Sequence, residues 1–392
     1  MYTLSDISIV IPSYNNLEYL KLAYQSIRDI SDDIEVILYG DGCNDGTNEW
    51  FLEIKHQNTI THSYSERLGH TILYDYGFQI ASRKIIGILH ADMIVHKNFF
   101  FNILKHIGPN NIISGTNIEP PLHPPGGEKH ILNAGLYPNE FNEYIFNEFC
   151  NNRDINQTQQ SIFAPWFLLK DEYLNKIGGH DIIYAPYGYE DSDIFSRMAL
   201  AGFEFIQSRD AFIYHFTQRG HKWTKGIGIE NNGYRDQMEK TRKTYIRKFG
   251  TEPIFDYNHK PTPAPKYNIG FIIKNCNQNM LEIFEPWCSN IYVDCDYVSY
   301  IKKEQPNTKY NIPERIKSYY SEKTNQILVE FDATQLNQNN FQLLQQLPQI
   351  ILESGELGTF ELDIFKIDIS GMDRLEKHLI KINSPYYQSQ LL

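Results

Sequence analysis

The sequence predicts an α/β protein: a domain with a mostly parallel central sheet and helices on both faces, followed by a small α/β or α+β domain. Three observations carry this. Strand and helix signals alternate through the first hundred residues, which is the pattern of βαβ units. Apolar residues make up 41% of the chain and aromatics 14%, enough for sizeable cores. A proline-rich, apolar-poor stretch over 251–266, with Pro253, Pro261, Pro263 and Pro265, reads as a linker between 1–250 and 267–392. Its position suits a 392-residue chain, which exceeds one ordinary domain.

The elements follow in order. Ser8-Ile9-Val10-Ile11 is a β-branched run ended by Pro12, and Leu17, Leu20, Tyr24 and Ile27 then mark one helical face, with Asn15 or Asn16 as N-cap. A second strand over 34–39 runs into the Gly- and Asp-rich turn 40–47. A helix over 48–55, a strand at 60–64, a helix through 72–81 and an apolar run over 84–89 come next. Residues 117–141 are rich in Pro and Gly and read as a long loop, functional or locally disordered. Regular signals resume at 162–170, with a helix opening near Glu190, strands at 203–207 and 211–216, and a helix over 230–249. Beyond the linker, 269–273, 291–293, 327–331 and 360–369 read as strands, and Leu343, Leu347 and Ile350 mark a helix. No internal repeat stands out.

Charge and cysteine usage exclude several classes. With 36 basic against 48 acidic residues, the net charge of −12 offers no overall field for a nucleic-acid polymer or an anionic membrane. No run approaches the roughly 18 apolar residues of a transmembrane helix, and 1–6 lacks a secretory signal. Cys43, Cys150, Cys276, Cys288 and Cys295 are odd in number and lack CxxC spacing, which fits a reducing compartment. The expectation is a cytoplasmic protein, with peripheral membrane association left open.

Candidate chemistry sits at strand ends, where open α/β sheets bind ligands. Asp41, between glycines, has the reach to accept hydrogen bonds from a base or ribose, or it simply satisfies turn amides. Asp92 is a strand-end carboxylate suited to a divalent cation. In 187–197, Glu190, Asp191 and Asp193 cluster at a helix start. The helix dipole and an Asp193–Arg197 pair explain them structurally, and a general-base role explains them chemically. His215 offers an imidazole ligand. Arg219, His221, Lys222 and Lys225 make the next loop basic, as a diphosphate leaving group requires.

The order of these motifs is more specific than any one of them. Ser8-Ile9-Val10-Ile11-Pro12-Ser13-Tyr14-Asn15, Asp41-Gly42-Cys43-Asn44-Asp45-Gly46-Thr47, His90-Ala91-Asp92, Gly178-Gly179-His180-Asp181, Gly188-Tyr189-Glu190-Asp191 and His215 resemble the family 2 glycosyltransferases of GT-A fold over about 5–250. The resemblance implies transfer of a sugar from a nucleotide-diphosphate donor, a UDP-sugar, to an acceptor hydroxyl with inversion, assisted by Mn2+ or Mg2+. It implies that Pro12, Ser13 and Tyr14 line the nucleobase pocket, that Asp41 bonds the base and that Arg67 is a further nucleotide contact. His90-Ala91-Asp92 stands where the family has DxD. This puts His90 and Ala91 on the nucleotide and Asp92 on the metal, with His215 completing the metal shell. Asp191 matches the catalytic base and Glu190 its orienting neighbour.

Two departures are visible: His90 replaces the first Asp of DxD, and Gly40 replaces the first Asp of the DDGS turn. They motivate an alternative, a catalytically weak GT-A module that binds glycan or nucleotide; a retaining transferase on the same fold is another. A nucleotidyltransferase would need a basic Gly-rich N-terminal phosphate loop, which Pro12-Ser13-Tyr14-Asn15 is not. The acceptor (glycan, lipid-linked or protein) stays open. So does the role of 267–392 in acceptor binding, self-association or partner docking.

Overall fold

The computed structural model describes residues 1–153, 156–217, 219–223 and 226–383. The chain divides into two compact units: unit 1 is Met1–Arg235 with Phe255–Pro261 and Lys381–Leu392, and unit 2 is Asp236–Ile254 with Thr262–Ile380. The proline-rich stretch is therefore shared out. Residues 255–261 belong to unit 1, and the predicted helix near 230–249, found at Tyr234–Phe249, belongs mostly to unit 2.

Among its described residues, unit 1 holds ten strands: β1 (Ile7–Ser13), β2 (Glu35–Asp41), β3 (Thr59–Tyr64), β4 (Ile85–Ile88), β5 (Met93–Val95), β6 (Asn111–Glu119), β7 (Lys129–Ile131), β8 (Thr158–Gln159), β9 (Trp166–Leu169) and β10 (Glu204–His215). The sheet runs β3-β2-β1-β4-β9-β6-β10-β5, with β7 paired to β6 and β8 to β10. The half β3-β2-β1-β4 is all parallel, and β9 enters antiparallel between β4 and β6. Ile7, Ile9, Val10 and Ile11 are all fully buried, because helices cover both faces of parallel strands and leave no polar side to alternate with.

Three local expectations change. The loop over 117–141 contains β7, which pairs in parallel with β6. The two strands expected at 203–207 and 211–216 are one strand, β10, with a register break against β6 between Gln207 and Phe212. The strand expected over 360–369 is a hairpin in unit 2, β15 (Gly358–Leu362) with β16 (Phe365–Ile369).

Unit 2 also contains β11 (Ile269–Lys274), β12 (Asn290–Val293), β13 (Ile316–Ser318) and β14 (Ile327–Asp332), in the order β13-β12-β11-β14-β16-β15. Its first four strands are parallel, and β16 is antiparallel to β14. A repeat that the sequence does not display is thereby present in topology, because β13-β12-β11-β14-β16 copies the order and directions of β3-β2-β1-β4-β9. A buried charge network stands in this unit: Glu285, fully buried, accepts from Arg247, Arg315 and the Tyr300 hydroxyl, and Arg247 also reaches Glu304. No helix among the described residues is long and apolar enough to cross a membrane.

Candidate active site and metal centre

At the end of β2, Asp41 is 2% exposed, and its carboxylate accepts from the backbone amides of Leu68 (2.6 Å) and Gly69 (3.1 Å). Of the two readings of Asp41, bonding to backbone amides is the one present in the structure, and the amides come from the loop after β3 rather than from its own turn. Burial raises its proton affinity while those amides hold the charge, and the carboxylate ties the loop after β3 to the sheet. That loop presents Arg67, whose guanidinium lies 3.9 Å from the ring centroid of Tyr14 and 5.0 Å from that of Tyr187, with Nε 3.8 Å from Asp41. The approach requires glycine at 42, where φ is +69° and a Cβ would meet the Arg67 nitrogen at 2.9 Å. Ser13 contributes a buried hydroxyl that has no partner among the described residues, and its carbonyl accepts from the Cys43 thiol at 3.1 Å. Tyr14, next to Pro12 and Ser13 in sequence, and Arg67 thus meet beyond the carboxyl ends of β1 and β3.

After β4, His90 and Asp92 meet His215 at the end of β10. One ligand atom from each lies within 4.8 Å of the others. The sequence-based reading put His90 on the nucleotide; the structure adds it to the candidate metal cluster. Ala91 is 5% exposed and adds only backbone. Burial, with His215, His70 and His221 nearby, drives the His90 pKa well below the ordinary range, so its imidazole is neutral and has a free lone pair. Asp92 accepts the Arg219 backbone amide at 3.3 Å and lies 3.7 Å from His215 Nε2. On the far side of the ring, His215 Nδ1 bonds Glu119 at 3.3 Å, and Lys129 bonds Glu119 at 2.8 Å. Burial opposes ionisation of Glu119, but His215 and Lys129 outweigh it and bring its pKa down to about 2. Two imidazoles, one carboxylate and an outer carboxylate orienting a histidine fit a divalent cation.

The carboxylate pair opens the helix Glu190–Leu200. The expected Asp193–Arg197 pair is present at 2.7 Å, and the buried Arg197 also donates to the carbonyls of Ile177 and Gly179. His180, in the Gly-Gly-His-Asp segment, is fixed by buried Asp75 through its amide at 3.0 Å and Nδ1 at 3.1 Å. These bonds anchor the helix start. Glu190, 7% exposed, meets His70 Nε2 at 2.6 Å, while its Oε2 is buried with no partner among the described residues. Burial disfavours the Glu190 charge, but His70 overrides this and lowers its pKa. Burial and the ionised Glu190 push the Asp191 pKa up to about 7. The two halves of the site feel each other: His90 senses His70 and Glu190, and Tyr74 senses Asp191, Glu190 and Asp92.

His70, Glu119, Lys129 and Tyr187 escape sequence reasoning. The one local signal is a histidine placed directly after Gly69 at a helix start. Of the basic loop, Arg219 is buried with its guanidinium on the Leu136 carbonyl, and Lys222 lies against the rings of Trp223 and Tyr234. Lys225 falls outside the described residues.

Residues 8–178 match the family described as Glycosyl transferase family 2. The match ends before Glu190, Asp191 and His215. No curated protein matches the sequence. Among solved structures, the chain is similar to the mannosyltransferase PcManGT from Pyrobaculum calidifontis in complex with GDP-Man and Mn2+, at 16% identity and a TM-score of 0.42, covering 62% of this chain and 63% of that one. It is also similar to GalNAc-T7 with UDP, GalNAc and Mn2+, at 13%, 0.43, 64% and 51%. A third is S. aureus TarS 1-349 in complex with UDP-GlcNAc, at 12%, 0.40, 62% and 66%. The chain spans less than two thirds of the length of each. These likenesses are distant, and residues 8–178 are similar to the Glycosyl transferase family 2 model.

Proposed function

We propose that the chain transfers a sugar from a nucleoside-diphosphate donor, a UDP-sugar, to an acceptor hydroxyl with inversion at the anomeric carbon. The observation that carries this reading is Asp191, a carboxylate of raised proton affinity beside an ionised, His70-held Glu190. Asp191 takes the proton of the acceptor hydroxyl as that oxygen bonds to the anomeric carbon and the bond to the diphosphate breaks. The unpartnered Glu190 Oε2 accepts a hydrogen bond from the acceptor and orients it. Tyr14 and Arg67 line the nucleoside end. His90, Asp92 and His215 would hold a divalent cation, which supplies charge neutralisation at the leaving diphosphate. Two imidazoles in the set favour Mn2+ over Mg2+, which prefers all-oxygen ligands. The few free cysteines support a reducing compartment, the cytoplasm.

The test is Asp191→Asn. Donor turnover, read as nucleoside diphosphate released from a panel of nucleotide sugars with Mn2+, should fall by about 10²-fold or more at unchanged melting temperature, the scale of general-base catalysis. Wild-type turnover in that variant sinks the assignment, and NMR of the product anomer decides inversion.

A further inference from the structure

Tyr74 lies on the helix His70–Ile80, one turn beyond His70. The two side chains share a helix face, and their ring centroids are 5.6 Å apart. His70 is the residue that holds Glu190. The Tyr74 ring is otherwise set in the core, with Phe78 stacked at 6.4 Å and the buried His180 ring at 5.4 Å. Only 2% of the residue is exposed.

A second tyrosine on the same histidine shows what is unusual. Tyr173 also packs on His180, and its hydroxyl is satisfied inside the core by Asp75 at 2.9 Å and His180 Nδ1 at 2.6 Å. The Tyr74 hydroxyl makes no hydrogen bond among the described residues. A tyrosine buried this far ordinarily has a partner, because leaving the hydroxyl unmade costs about 1–3 kcal/mol that phenylalanine avoids.

The surrounding charges locate that hydroxyl. Burial drives its proton affinity well above the ordinary phenol range, and the carboxylates of Asp191, Glu190 and Asp92 add to this in that order. Tyr74 is therefore a neutral donor within electrostatic reach of both halves of the site, the carboxylate pair and the candidate cation cluster. In-line displacement fixes what lies between those halves. The leaving diphosphate sits at the cation and the attacking oxygen at Asp191, so the transferred sugar ring spans the gap.

We propose that Tyr74 borders the donor-sugar subsite and donates its hydroxyl hydrogen to a hydroxyl oxygen of the transferred hexose, so that it selects among nucleotide sugars. This rests on the transferase reading above, and goes beyond it by assigning a contact that recognises the sugar rather than the nucleotide.

The experiment is calorimetry on the full chain with Mn2+ and no acceptor. It compares UDP with UDP-glucose, UDP-galactose and UDP-N-acetylglucosamine, for the wild type and for Tyr74→Phe. The variant should bind UDP as the wild type does. It should bind the tightest UDP-sugar about 3–10-fold more weakly, the scale of one neutral hydrogen bond. Among monodeoxy analogues of that sugar, one should bind both proteins equally, because the oxygen that Tyr74 reaches is gone. The melting temperature should not fall, since no hydrogen bond within the protein is removed. Equal loss for UDP and the UDP-sugar, no loss for either, or a loss that every deoxy analogue retains overturns the inference. Failure of the transferase reading looks different: the wild type then binds neither UDP nor any UDP-sugar, and both claims fall together.

Discussion

His70 Nε2 lies 2.6 Å from Glu190 Oε1, joining the first residue of one helix to the first residue of another across 120 positions of sequence. The contact keeps Glu190 ionised, and an ionised Glu190 keeps the proton affinity of Asp191 high.

A pH profile reads this arrangement. The Asp191 pKa is raised to about 7, and a general base works only when deprotonated, so turnover should be present above that pH and lost as pH falls through it. His70⁺ lowers the Asp191 pKa, so His70→Gln, which keeps an N–H donor but removes the charge, should move the rising limb to higher pH. Glu190→Gln removes the neighbouring negative charge and should move it lower. A limb that stays put in both variants refutes the coupling.

The metal centre predicts an order of effects. Glu119 orients His215 from outside, and losing such a partner costs about 10–100-fold in metal affinity. Glu119→Gln should therefore weaken Mn2+ binding by that amount, and His90→Ala, which removes a ligand atom, by more. Mn2+ titration followed by electron paramagnetic resonance measures both without any turnover assay. An unchanged affinity in His90→Ala would remove His90 from the ligand set.

Gly69 links the two ends of the site. Its amide bonds Asp41, its φ is +93°, and a Cβ there would sit 2.3 Å from the Pro186 backbone, just ahead of Glu190. Gly69→Ala should cost roughly 1–3 kcal/mol through backbone strain and displace the segment leading into the carboxylate pair. The expected result is a lowered melting temperature with a larger loss of kcat than of donor affinity.

Unit 2 should be acid-labile through Glu285. Arg315 and Arg247 hold its pKa down to about 2 against the cost of burial. A depressed carboxylate stabilises fully above its unfolded pKa of about 4.5 and loses that contribution as pH falls toward 2. Glu285→Ala leaves buried guanidinium groups uncompensated, a loss of about 3–5 kcal/mol at neutral pH. Chemical denaturation of the full chain at pH 7 and pH 3 should show that difference shrinking in acid.

Much of the fold was legible because its signals are local. β-Branched runs such as Ile9-Val10-Ile11 and the Gly-Asp turn after β2 announce a parallel sheet and its ligand edge through a few adjacent residues. Asp92 and His215 were readable as candidate ligands because one follows a clear apolar strand and the other ends one. The partners of Asp41 were not legible for a physical reason: a strand-end carboxylate has the same local sequence whether it bonds a ligand or a loop, and only the tertiary fold brings the Leu68 and Gly69 amides to it.

By itself, then, the sequence determined the α/β class, the candidate ligand edge at the strand ends and the Glu190–Asp191 pair, all set by short-range periodicity and turn chemistry. The tertiary structure decided which groups share a charge environment: His70 with Glu190, His90 with Asp92 and His215, and Glu119 behind them. It also decided that unit 2 repeats half of unit 1. Pairing register relates residues up to about a hundred positions apart, such as Met93 and His215, and pKa shifts depend on distances in space; neither is encoded in neighbouring letters.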